Sequence, residues 1–184
     1  EVLESSGRAK IELVYEVNPN LIDKKYKIAS DVNEIIDNPQ IDVVFICVPN
    51  HLNKPFTIKS LKNHKHVFCE KPPAFNSKEV EKIITIEKAS GKKLMYGFNH
   101  RHHESVLKMK TLIDSEEYGK VLWMRGRYGK SVDQSFFETW RAKKELAGGG
   151  ILLDQGIHML DLFIMMGGGF DSVQAEVSNK YWKL

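Results

Sequence analysis

The chain has 184 residues, a formal net charge of +3, and 42% hydrophobic and 28% charged residues. That length allows one ordinary domain or two small ones, with a core able to bury roughly 70% of the unfolded surface. The composition excludes a disordered polar chain, and because Lys and Arg interleave with Asp and Glu without a basic block, nucleic acid is not an expected partner.

IELVYEV (residues 11–17) mixes apolar and acidic positions and stops at the turn signal Asn18-Pro19-Asn20, so a first strand is predicted there. Asp31 with Glu34 forms a capping pair for a short helix over Val32–Ile36. IDVVFICVP (residues 41–49) is rich in β-branched residues and ended by proline, as expected of a strand covered on both faces. A helix over residues 54–63 leads to the short strand HVFCE. Asn76 with Glu79 starts a helix that runs to Ser90 and ends at Gly91, and KLMYGF (residues 93–98) is the next strand. Strands alternating with helices at this spacing predict βαβ units and a parallel sheet.

The second half differs. A helix over Glu104–Asp114 precedes KVLWMRGRYGK, a longer alternating strand; an apolar helix follows, and residues 170–184 are strand-like to the end. This predicts an α+β domain with an open, mostly antiparallel sheet, and a domain division into residues 1–98 and 99–184.

Cys47 and Cys69 lie in apolar runs and are expected as buried thiols of a reducing compartment. No apolar stretch is expected to approach the roughly 18 residues of a membrane span. EVLESSGRAK offers neither an initiator Met nor a signal-like apolar core, so a cytoplasmic protein with no membrane partner, continuing upstream of Glu1, is the expectation.

Open parallel sheets bind ligands beyond the carboxyl ends of their strands. Those ends carry Glu16, Pro49-Asn50-His51, Glu70-Lys71-Pro72-Pro73 and Asn99-His100-Arg101. A carboxylate such as Glu16 can grip the two hydroxyls of a ribose, although a charge at a strand end is also simply solvated. Lys71 follows a strand at once and is pinned by two prolines; a turn lysine has the same surroundings.

GGGILLDQGIHMLDLF (residues 148–163) sets Asp154, His158 and Asp161 at i, i+4 and i+7 of a segment otherwise apolar nearly all round. Buried titratable groups need partners or a cavity, and Asp154 and His158 share a face that can point into one cleft. Three glycines before the helix let a ligand approach its unpaired N–H groups. A satisfied structural His–Asp pair, or a metal pair joined by His100, His102 and His103, uses the same spacing.

Taken together, EKPPA after one strand, GFNHR after the next, and then Trp140-Arg141 followed by GGGILLDQGIHMLDL resemble the Gfo/Idh/MocA oxidoreductases over nearly the whole chain. The resemblance implies a partial Rossmann-type sheet followed by the α+β domain. It places Lys71 between nicotinamide and substrate, and Asp154 and His158 as catalytic residues. Glu16 falls at the adenosine ribose; Pro49, Asn50, His51 and Glu70 fall beside the cofactor; Asn99, Arg101, Trp140 and Arg141 fall near the substrate. The implied activity is NAD(P)-dependent hydride transfer from a hydroxyl carbon of a sugar, cyclitol or similar polyol, without a metal. Glu16 favours NAD over NADP, because a carboxylate repels a 2′-phosphate.

NHRHH departs from the commoner N-R-R-F, and no G-x-G-x-x-G is present, so the chain is expected to be an inactive internal fragment of a longer, homo-oligomeric protein. A metal-dependent lyase or hydrolase built on Asp154 and His158, and a non-catalytic nucleotide-binding regulator, are the alternatives.

Overall fold

The computed structural model describes residues 2–129 and 131–178. In chain order the longer elements are α1 (Val2–Ser5), α2 (Val32–Ile36), β1 (Val43–Ile46), α3 (Asn50–Lys62), β2 (His66–Cys69), α4 (Ser77–Ser90), β3 (Leu94–Tyr96), α5 (Glu104–Asp114), α6 (Lys144–Ala147) and α7 (Ile157–Gly167). Short 3-10 turns lie between several of them.

The β-strands form one parallel sheet in the order β1-β2-β3, with Ile46 opposite Cys69 and Cys69 opposite Tyr96. A parallel neighbour can be reached only through a crossover, and α3 and α4 supply the two crossovers. Ile41, Val44, Ile46, Leu61, Val67 and Cys69 make the buried core between sheet and helices. Only one face of β1 is covered: Val44 and Ile46 are buried while Val43 and Phe45 are exposed, so the expected two-sided burial does not form.

Local signals settled the helix ends. The Asn76 side chain accepts from the Glu79 amide at 3.1 Å, and Gly91 closes α4 with φ 64°, a conformation that favours glycine. Asp31 caps α2 by accepting from the Asn33 amide, and Glu34 accepts from the Ser30 amide. α3 begins four residues before the expected Lys54. Pro55 resembles a first helical residue but lies inside, where it removes one N–H. The first turn of α3 carries the buried side chains of Asn50 and Asn53.

The expected first strand is reduced to a bridge between Val14 and Ile28, held by two backbone hydrogen bonds of 3.0 and 2.9 Å. Residues 120–129 and 170–178, expected as strands, form no ladder among the described residues, and Lys130 and residues 179–184 lie outside them. Leu122 is 90% and Trp123 76% exposed, so among the described residues these apolar segments have no neighbour that would turn alternation into a sheet.

Cys69 is buried as expected, but Cys47 is exposed. The helical run Lys144–Gly167 has 24 residues and is, by length and composition, apolar enough to cross a membrane, which overturns the expectation that no stretch approaches such a span. The run nevertheless turns at Gly148 with φ 80° and carries two carboxylates paired with residues of other elements, an expensive arrangement in hydrocarbon.

Candidate active site

β1 and β2 end side by side, so the loops that follow them, Pro49–His51 and Glu70–Pro73, leave the same edge of the sheet. Asn53 on α3 ties the second loop down: its buried side-chain amide donates to the Glu70 carbonyl at 3.2 Å and the Pro72 carbonyl at 2.9 Å. Gly97 at the end of β3 leaves room for Glu70, whose carboxylate lies 3.0 Å from where a Cβ would stand. His51 Nδ1 is buried without a hydrogen-bond partner at this edge.

The segment that leads into α7 meets this edge. Asn50 donates to the Ala147 carbonyl at 2.9 Å. Gly148 is left-handed (φ 80°), and a Cβ there would stand 2.1 Å from the Phe75 ring, so conformation and contact both demand glycine. Beyond it, Leu152–Gly156 form one π-helical turn that runs into α7. Such turns concentrate at functional sites.

This arrangement brings Lys71 onto Asp154. The ammonium donates to the Asp154 backbone carbonyl and to its Oδ1, the latter at 3.2 Å. Asp154 Oδ2 accepts from Gln155 at 3.1 Å and lies 3.8 Å from Arg141 Nε. Burial raises the Asp154 pKa, but the Gln155 bond, Lys71 and Arg141 together outweigh it and hold the carboxyl below its ordinary range. Arg141 in turn stacks on Trp140, 4.3 Å from the ring centroid.

His158 is 6% exposed, and its Nδ1 is buried with no hydrogen-bond partner, so Asp154 does not hold the imidazole through that atom. Burial first, then His100 and Lys71, push its pKa down to about 4 against the pull of Asp161 and Asp154. The ring is therefore neutral at physiological pH, as a proton acceptor must be.

Of the residues singled out in the sequence, Lys71, Asp154, Arg141 and His158 converge. Arg101 grips Asp161 with a two-pronged pair at 2.7 and 2.5 Å. Asn99 is exposed at the start of the Asn99–His102 turn. Glu16 is exposed, and its carboxylate accepts from the Asn18 amide at 3.2 Å, a local turn contact. Asn53 and the Arg101–Asp161 pair were not foreseen; Asn50 and Asn53, three apart at a helix start, were the visible hint of the former. Among the described residues no three of His, Cys, Asp and Glu are placed to hold a metal ion, so the metal-dependent alternative has no ligand set there.

A parallel βαβ sheet with a charged loop edge, met by a helix bearing an ion-paired Asp and a buried His, is a Rossmann-like α/β arrangement. Residues 3–98 match the oxidoreductase family with an NAD-binding Rossmann fold, and residues 106–183 match the GFO/IDH/MocA C-terminal domain. The chain belongs to the GFO/IDH/MocA oxidoreductase family.

It is 33% identical over 175 residues to levoglucosan dehydrogenase of Pseudarthrobacter phenanthrenivorans, covering 91% of this chain and 45% of that protein. It is 31% identical over 143 residues to myo-inositol 2-dehydrogenase of Thermotoga maritima, covering 77% and 40%. Levoglucosan dehydrogenase in complex with NADH and levoglucosan superposes with a TM-score of 0.77 at 30% identity, over 87% of this chain and 45% of that one. The chain thus spans about half the length of the curated relatives it matches.

Proposed function

We propose that the whole protein oxidises a hydroxyl carbon of a sugar, cyclitol or similar polyol and passes the hydride to NAD. The observation that carries this reading is the meeting of Lys71, from the sheet edge, with Asp154 on the helix segment that presents the buried neutral His158. Relatives named for levoglucosan and myo-inositol support the substrate class.

Nicotinamide supplies the hydride acceptor when bound, held by Glu70, Lys71 and the Pro49–His51 loop, with Glu16 on the ribose. His158 accepts the hydroxyl proton, a role worth on the order of 10²–10⁴-fold. Lys71 stabilises negative charge on the substrate oxygen and keeps His158 neutral. Asp154 holds Lys71 in place, and with Arg141 and Trp140 it borders the substrate. Arg101 acts through Asp161 rather than on the substrate.

The test is His158→Ala in the whole protein. We expect kcat to fall by roughly 10²–10⁴-fold with NADH affinity kept; turnover within about threefold of wild type would remove His158 from the chemistry. The 184-residue chain alone carries no glycine-rich phosphate turn and should bind NADH at best weakly, about millimolar, with no turnover. Calorimetric titration reads that directly, and micromolar binding would require another phosphate site. A cytoplasmic homo-oligomer fits the same reading.

A further inference from the structure

Oxidation of a hydroxyl carbon breaks a C–H and an O–H bond. The hydride carries its electron pair to NAD, and the proton goes to His158. Every turnover therefore leaves a proton on a ring that is only 6% exposed, and it must depart before the next cycle.

The groups facing His158 from each neighbouring element are Lys71 from the loop after β2, Asp154 and Asp161 from its own helix segment, and His100 from the Asn99–His102 turn. Tyr128, from the segment after α5, stacks at 6.4 Å. Three of these are committed elsewhere. Lys71 donates to Asp154. Both Asp154 oxygens face cationic or amide partners, and both Asp161 oxygens accept from Arg101. A carboxylate so occupied is a poor proton acceptor.

His100 is different. Its ring lies 4.1 Å from that of His158, tilted by 32°, and 5.5 Å from that of His103. Burial decreases outward along the three imidazoles: His158 buried, His100 half-buried, His103 exposed. The Arg101–Asp161 fork spans from the same turn to α7 and so fixes His100 over His158. Passage of a proton between them requires a side-chain rotation that turns a nitrogen of one ring to a nitrogen of the other, and a centroid separation of 4.1 Å keeps that movement short.

Resting on the reading of His158 as base, we infer that His100 takes the proton from His158 and passes it outward through His103. The bonds balance: an N–H on His158 breaks as one on His100 forms, and the proton ends in solvent. Both inner imidazoles are held below the ordinary value, His158 at about 4, His100 by burial and then by His103 and Lys71, so neither ring traps the proton. The cluster that resembled a metal site in sequence serves proton exit.

The experiment measures turnover of the whole protein with NAD and an accepted polyol at low buffer concentration. His100→Ala should lower kcat about tenfold or more, leave the KM for the polyol little changed, and recover with added imidazole, because a diffusing base replaces a relay but not a packing contact. His100→Phe keeps a stacked ring without nitrogens and should be equally slow. Full turnover by His100→Phe, or a loss in His100→Ala that imidazole does not restore, overturns the relay. His158→Ala separates the two claims. If it is inactive while His100→Ala is normal, the relay alone falls; if it stays active, the reading of the base falls as well.

Discussion

Residues 43–98 and residues 119–129 both contain runs of β-favouring side chains, yet among the described residues only the first region forms a sheet. In the first region each strand finds a parallel neighbour within about 25 residues of chain, β1 with β2 and β2 with β3. The crossover helices cover one face and bury Leu61 and Ile83. In the second region Val121, Leu122 and Trp123 have the same β-favouring character and, among the described residues, no paired strand. Strand character is a property of a pair of segments, whereas a helix end is a property of a few consecutive residues.

The contrast is sharpened most by paired core deletions. Leu61→Ala in the first region should cost roughly 2–5 kcal/mol, and Leu122→Ala in the second no more than about 0.5 kcal/mol. Urea unfolding of the 184-residue chain measures both. Equal losses would mean that residues 119–129 are packed as tightly as the sheet, which would erase the distinction.

Lys71 ties the first region to the Asp154 segment, so its loss should be felt in chemistry. Lys71→Met keeps length and removes the charge; we expect kcat to fall roughly 10²–10³-fold, as when a preorganised donor to a developing oxyanion is removed. The sign of the pH effect follows from the cation: Lys71 lowers the His158 pKa, so its removal raises that pKa and moves the acidic limb of the kcat/KM profile upward. An unchanged limb with normal kcat would reduce Lys71 to a loop residue.

A smaller effect tests the segment that stopped at a single bridge. If Glu16, two residues beyond Val14, grips the ribose, Glu16→Ser should lower kcat/KM for NAD roughly ten- to a hundredfold, the worth of a charged hydrogen bond, and narrow the gap to NADP. Wild-type preference for NADP would place the carboxylate elsewhere.

Legibility follows the same division. Asn76, Gly91, Asp31 and the bounds of α5 were readable because each depends on neighbours within one turn. The parallel sheet was readable from its alternation with helices, and the stripe of Asp154, His158 and Asp161 from its spacing. How that stripe is shared out was not readable: Asp154 answers to a lysine 83 residues away and Asp161 to an arginine 60 residues away. Pro55 misled because its usual place is a helix start. Cys47 misled because an apolar run does not say which face will be covered.

The bond from Asn50 to Ala147 and the seating of Phe75 on Gly148 fasten two separate points of the sheet edge to adjacent residues of one short stretch. The Lys71–Asp154 pair and the Arg101–Asp161 fork add two more fastenings further along the same segment. Four ties spread over residues 147–161 make a clamp and not a hinge, and His158 lies inside the clamped span. A distance label on α7 paired with one on α3 should therefore report one separation until Asp154 or Asp161 loses its partner.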